Sequence, residues 1–318
     1  MSGFGATTIT DEVLEGIDLS SKTVLVTGGS SGLGQETARA MAAKAAHVVI
    51  TARNPAQMDE AVAAIKGETP GARVETLTCD LASLESIKKA GTQANQRFDK
   101  IDVLINNAGV MACPKTQTAD GFEMQFGTNH LGHFALTKQL MPLIEAGSDA
   151  QGSGRIVNLS SRGHHICPAD LDDPNFETGE YAPWVSYGRS KTANILFTKG
   201  LEDRYGDKGI HAYAVHPGGI NTNLSRHLSD KAEQELIKNV TASDPNFKFK
   251  SIPQGAATQV WAATASELEG RGGVYCEDCN IAKVDDISRN SGVRSYALDK
   301  ASADQLWALS EQMTGAAF

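Results

Sequence analysis

Seven short apolar runs rich in β-branched residues alternate with longer stretches of helical periodicity, and this alternation limits the fold more than any other feature. The runs are Thr23–Thr27, His47–Thr51, Val74–Cys79, Val103–Ile105, Arg155–Leu159, His211–Val215 and Gly273–Cys276. Helical patterns fall between them at about 33–46, 56–66, 83–97, 118–145, 184–205 and 254–265, with a last one near 301–313. Such repetition demands a parallel sheet covered by helices on both faces, because each crossover must carry the chain back to the start of the next strand. The expectation is an α/β chain: a doubly wound, seven-stranded parallel sheet in a single domain over 21–318, preceded by an extension over 1–20. With 318 residues, 41% of them hydrophobic and 21% charged, there is material for one such core.

Two segments interrupt the alternation. Residues 163–183 carry Pro168, Asp170, Asp172, Asp173, Pro174 and Pro183 and read as a long loop. Residues 221–252 hold polar, helix-competent sequence followed by Pro245, Phe247 and Phe249. Long loops at the carboxyl ends of strands are where such folds seat ligands, so 221–252 is the expected substrate loop.

Acidic residues outnumber basic ones 38 to 29, for a net charge of −9. Neither nucleic acid nor an anionic membrane is attracted to such a surface. Any phosphate must be held by local backbone and one or two cations. No stretch of about eighteen apolar residues could span a membrane, and Asp11, Glu12, Glu15 and Asp18 near the start rule out a signal peptide there. Five cysteines, an odd number without framework spacing, point to a reducing, cytoplasmic setting. Cys276 and Cys279 form a C-x-x-C, but no second pair or nearby histidine completes a metal site, so strand-end packing is expected and no metal.

The first run leads into Thr27-Gly28-Gly29-Ser30-Ser31-Gly32-Leu33-Gly34, which opens a helix. A pyrophosphate needs a tight turn, close backbone and unpaired N–H groups at a helix start. Gly28, Gly32 and Gly34 supply the missing side chains, while Ser30 and Ser31 offer hydroxyl donors.

This Thr-Gly-x-x-x-Gly-x-Gly turn resembles the cofactor fingerprint of the short-chain dehydrogenase/reductase superfamily, and further motifs follow in the family's order. Asp80-Leu81 ends the third run, Asn106-Asn107-Ala108-Gly109 the fourth, and Ser161 follows the fifth. Tyr187 and Lys191 open the next helix, and Pro217-Gly218 with Ile220 and Thr222 follows the sixth run. Trp184, Asn194-Ile195-Leu196-Phe197 and His216-Pro217-Gly218-Gly219-Ile220 resemble the branch of retinol dehydrogenases and WW-domain oxidoreductases. The resemblance implies a Rossmann-type fold that binds a nicotinamide dinucleotide and moves hydride to or from a carbonyl carbon. Gly28, Ser30, Ser31, Gly32, Leu33, Gly34, Asp80, Leu81, Asn107, Ala108, Gly109, Pro217, Gly218, Ile220 and Thr222 become the implied cofactor residues. The substrate would be a small-molecule alcohol, ketone or aldehyde.

Tyr187 and Lys191 lie four apart, so their side chains leave one helix face one turn apart. The ammonium is expected to lower the phenol's pKa, making Tyr187 the acid/base, while Lys191 also holds the nicotinamide ribose. The resemblance implies Ser161 rather than Ser160 as the carbonyl-orienting hydroxyl, and since neighbouring strand residues face opposite ways only one of the two can face the substrate. Asn129 resembles the residue anchoring a water between Lys191 and solvent. His130, His133, His164, His165 and His216 lack partner spacing and read as structural.

Cofactor choice rests on the end of the second run. Selection of NAD would place Asp or Glu there; this chain has Ala52 followed by Arg53, whose planar fork suits a 2′-phosphate. The family's other basic position holds Ser31, one cation short of the strongest site. NADP(H) is expected, with NAD(H) usable. The pocket should be apolar, lined by Leu224, Leu228, Phe247, Phe249 and Trp184, and suited to bulky apolar or aromatic substrates. The 163–183 insertion is expected beside the Tyr187 helix, leaving a monomer or a homodimer built elsewhere. Two other readings stay open: a non-catalytic dinucleotide-binding regulator, and an epimerase or dehydratase using the same Tyr-Lys pair. Ala45 stands where a helix-ending glycine is usual.

Overall fold

A computed structural model describes residues 3–226, 228, 230–243 and 247–318. Its strands are β1 (Thr23–Thr27), β2 (His47–Ala52), β3 (Arg73–Thr78), β4 (Val103–Asn106), β5 (Gly154–Leu159), β6 (Ile210–His216), β7 (Val274–Glu277) and β8 (Asn280–Ile281). They form one sheet in the order β3-β2-β1-β4-β5-β6-β7-β8. Seven strands are parallel, as the alternation demands. The eighth is a correction to the seven-stranded expectation: it pairs antiparallel with β7 through a two-residue reversal at Asp278 and Cys279, with φ of 50° and 56°. Such a turn ordinarily announces itself as Asn-Gly or Asp-Gly, and Asp-Cys hides it.

The helices are α1 (Thr10–Val13), α2 (Gly32–Ala43), α3 (Pro55–Glu68), α4 (Leu84–Arg97), α5 (Met124–Phe126), α6 (Gly132–Gln151), α7 (Pro183–Tyr205), α8 (Asp230–Ser243), α9 (Ile252–Thr264) and α10 (Lys300–Thr314). Strand alternation assigns them to two layers. Val24, Val26, Val48, Ile50 and Ile105 pack with Met41, Met58, Ile65 and Trp261 of α2, α3 and α9. Leu25, Val49, Leu104 and Ile156 face the other way, onto Ile87, Phe134, Leu140 and Phe197 of α4, α6 and α7. The central strands β1, β4 and β5 are thus buried on both faces, which is why their runs are almost continuously apolar, while the edge strand β3 alternates buried Val74 and Leu77 with exposed Arg73, Glu75 and Thr78. Val13, Leu14 and Leu19 of the first twenty residues join the first layer.

The helix expected over 118–145 begins later. Gly121 adopts a φ of 84° in a turn closed by Thr118 N–H donating to Phe122 O, so helix starts only at Met124. One π-helical turn, Gly127–Leu131, then interrupts it before α6. Within 221–252, a short 3₁₀ turn over Asn223–Ser225 leads toward α8; Pro245 lies outside the described residues. Ala45 holds a φ of 67° at the end of α2. Ala45 N–H donates to Ala42 O and Ala46 N–H to Met41 O, the bond pattern of a glycine-type helix stop carried by an alanine.

Candidate active site

The chain leaves β1 toward β2 on one side and β4 toward β5 on the other, so a crevice opens where the strand order reverses. A cleft of about 1270 Å³ occupies this place. Gly28, Ser30, Ser31, Gly32, Leu33, Arg53, Asp80, Leu81, Asn107, Ala108, Gly109, Ser161, Tyr187, Lys191, Pro217, Gly218, Ile220 and Thr222 all line it. Of the residues singled out in the sequence, Gly34 and Asn129 stand behind its wall. A Cβ at Gly34 would sit 2.3 Å from Gly28 O, so only glycine lets α2 start this close to the turn. Ser31 at the start of α2 makes no side-chain cap bond, leaving the first-turn N–H groups to another acceptor. Bare backbone at a helix start suits a pyrophosphate, and the site fits a dinucleotide.

The opposite wall is tied to the glycine turn. Thr27 Oγ1 accepts the N–H groups of Asn107 (2.9 Å) and Ala108 (3.0 Å), and Asn107 Nδ2 donates to Thr27 O (2.7 Å). Asp80 Oδ1 accepts from Ala82 N–H (3.0 Å), which turns that carboxylate into the bend below β3.

At the floor, Tyr187 and Lys191 emerge from α7 with 4% and 5% of their surface exposed. Lys191 Nζ donates to Leu159 O (2.9 Å) and lies 5.7 Å from the Tyr187 ring centre. Burial pushes the Tyr187 phenol up to about 12, opposed in part by its hydrogen bond with the Ser161 hydroxyl. Burial also pushes Lys191 down to about 8. The phenol thus lies above its ordinary value rather than below it as expected, with burial the leading cause and the Ser161 hydrogen bond opposing it. Ser160 Oγ donates to Lys191 O (2.9 Å), while Ser161 Oγ accepts from Gly163 N–H (3.0 Å) beside the phenol. Gly163 was not singled out by sequence. A Cβ there would press to 2.8 Å from the Tyr187 ring, so this glycine lets the loop close over the phenol.

Asn129 lies in the π-helical turn. Its Oδ1 accepts from Val110 N–H (2.8 Å), and its Nδ2 donates to Val110 O (3.0 Å) and Ser190 Oγ (2.9 Å). The histidines are held by scaffold partners. His130 meets Ser310 Oγ, His164 meets Ser161 O, His165 meets Gly292 O, and His216 Nδ1 accepts from Arg162 N–H. Burial lowers the pKa of each, to about 3 for His130 and His164. The Cys276 and Cys279 thiols are buried at the β7 end, and burial raises both.

The outer cleft is apolar. Trp184 stands edge-on to Tyr187 at 6.1 Å, and Phe247 packs edge-on to Phe249 at 5.0 Å. Leu224 lines the wall and Leu228 does not. Met111, Met124, Ile166, Leu236 and Ile237 complete it; they escaped the sequence reading because they lie on segments with no motif. Arg226 also escaped. It lines the cleft with Arg53, and burial and the like charge of Arg53 both lower its pKa. Neither arginine makes an ion pair with the described residues, although the chain carries net negative charge.

A doubly wound parallel sheet with a glycine turn at its switch point, and a buried Tyr-Lys pair on the helix after the fifth strand, defines a class of dinucleotide-dependent oxidoreductases. The short chain dehydrogenase family model matches residues 22–171 and 175–233, and the chain belongs to that family. It is 42% identical over 299 residues to a short-chain dehydrogenase/reductase of Penicillium roqueforti, covering 93% of this chain and 86% of that protein. It is 36% identical over 315 residues to a chloroplastic short-chain dehydrogenase of Brassica napus, covering 96% and 92%. The crystal structure of a Mycobacterium paratuberculosis protein superposes with a TM-score of 0.73 at 32% identity, over 99% of both chains. The chain is thus a family oxidoreductase that binds a nicotinamide dinucleotide.

Proposed function

We propose that this chain interconverts an alcohol and a ketone or aldehyde using NADP(H), with a bulky apolar or aromatic substrate. The observation that carries the chemistry is the adjacency of the Ser161 hydroxyl and the buried Tyr187 phenol at the floor of an apolar cleft. When bound, the nicotinamide ring supplies or accepts the hydride. In reduction, Ser161 and Tyr187 would hold the carbonyl oxygen, and Tyr187 would give that oxygen its proton. In oxidation, Tyr187 takes the hydroxyl proton. Lys191 and Asn129 lie behind the phenol to return the proton from solvent, and Lys191 is the residue to hold the nicotinamide ribose. Gly28, Ser30, Ser31, Gly32 and Leu33 would face the pyrophosphate, Asp80 and Leu81 the adenine, and Pro217, Gly218, Ile220 and Thr222 the nicotinamide end.

Arg53 and Arg226 support NADP(H). Two arginines line one cleft and make no ion pair with the described residues, which suits an anion, and Arg226 is the second cation the sequence reading lacked. The odd cysteine count supports a cytoplasmic location. Arg189 on α7 pairs with Asp170 (2.7 Å) and lies over Phe176 (4.1 Å), so the 163–183 insertion covers that helix face. This supports a monomer, or a dimer built elsewhere, and light scattering that finds a tetramer would contradict it.

The test is cofactor turnover on isatin, benzaldehyde, pyruvate and acetoacetate with each cofactor. NADPH with an aromatic carbonyl should give the highest kcat/KM. NADH with a keto acid leading would overturn both halves of the reading.

A further inference from the structure

His133 is a buried imidazole with no part in the chemistry above. It stands on the first turn of α6 and touches two functional segments at once. Its Nδ1 lies 2.9 Å from Asn129 O, and its Nε2 lies 2.9 Å from Thr27 Oγ1. A carbonyl only accepts, so Nδ1 carries the proton and Nε2 is an acceptor. Thr27 must then donate its hydroxyl hydrogen to His133; the other acceptor within reach, Ile105 O, is at 3.5 Å. With that hydrogen committed, the lone pairs of Thr27 Oγ1 receive Asn107 and Ala108 N–H. One tautomer therefore sets the direction of both imidazole bonds that join Asn129 O to Thr27 Oγ1. The pKa of the ring is pushed down to about 4, by burial first and by the Lys191 charge as well, so it stays neutral.

We infer that His133 is a positioning residue that locks the cofactor-facing corner of Thr27, Asn107 and Ala108 to the Asn129 turn beside Lys191. The two ends meet again at Gly109, whose Cβ position is 3.1 Å from Asn129 Oδ1 and 3.7 Å from Lys191 Nζ. Cofactor seating and proton delivery then share one hydrogen-bond chain. The inference rests on the proposed function for the roles of its two ends.

Amide variants separate the ends. Asparagine reaches only as far as Nδ1, so His133→Asn keeps a donor for Asn129 O and loses Thr27. Glutamine reaches as far as Nε2, so His133→Gln keeps an acceptor for Thr27 and loses Asn129. Titration calorimetry with NADPH should show binding weakened about fivefold in His133→Asn, the worth of one buried hydrogen bond. In His133→Gln it should stay within about twofold of wild type by the same measure. The kcat on the fastest carbonyl of the panel should show the reverse pattern, and His133→Leu should lose both. Equal changes in both variants, or none in either, would mean that the imidazole only fills the core and would overturn the inference. If the chain turns over no carbonyl, the proposed function fails, and the calorimetric contrast still reads the corner.

Discussion

The floor and the rim of the cleft are built on opposite principles. At the floor, Tyr187 and Lys191 are buried, bonded to Ser161 and Leu159, and carry pKa values displaced by loss of water. At the rim, Arg53 and Arg226 are exposed and make no ion pair with the described residues. Burial displaces the pKa values at the floor and makes each of its groups expensive to alter. The rim gains discrimination from a few solvated charges, so it should change specificity with little effect on folding.

The largest difference should show in stability against pH. The folded-state pKa of Lys191 is about 8, below its ordinary 10.5. Between those values the unfolded chain holds a proton that the folded chain does not, so stability rises with pH through this window. Relative to Lys191→Met, the wild type should gain up to about 3 kcal/mol from pH 8 to 10.5. Urea unfolding of both proteins at each pH measures this, and a constant difference would break the contrast. Arg53→Ala alters an exposed side chain and should leave this readout unchanged.

The rim should answer in kinetics instead. Arg53→Ala should raise the KM for NADP(H) about tenfold, near 1.4 kcal/mol, and leave that for NAD(H) close to wild type. Arg226→Ala should act in the same direction and more weakly. An equal effect on both cofactors would show that no phosphate is read at this rim.

The smallest effect lies outside the cleft. Ala45→Gly relieves a left-handed alanine, worth about 1–2 kcal/mol, against a glycine entropy cost of about 0.5–1 kcal/mol. Thermal unfolding should show a gain of about 0.5–1 kcal/mol with kinetics unchanged. A destabilised variant would mean that the backbone at Ala45 is held by something other than its φ.

Legibility in the sequence follows the same division. Residues whose job is done by the backbone, such as Gly28, Gly32 and Gly34 in the turn, leave spacing that can be read, and so do Tyr187 and Lys191 on one helix face. The central parallel strands are legible because double burial makes them almost continuously apolar, and the edge strand β3 because its short β-rich run sits between two helical patterns. β8 was not, because two residues carry no period. The π-helical turn at Asn129 was not, because its residues read as ordinary helix. Gly163 and Arg226 act through space across loops, and neither has a local pattern to betray it. The phenol's raised pKa was also missed, since burial of a helix face is a property of the packed layers rather than of Y-x-x-x-K.

The most direct test of the floor is Tyr187→Phe, measured for NADPH binding by calorimetry and for kcat on the fastest carbonyl of the panel. The ring stays and the proton donor goes, so folding and NADPH affinity should hold while kcat falls by about a hundredfold or more. Retention of more than about a tenth of wild-type kcat, a barrier change below roughly 1.4 kcal/mol, would contradict the assignment of Tyr187 as the acid/base.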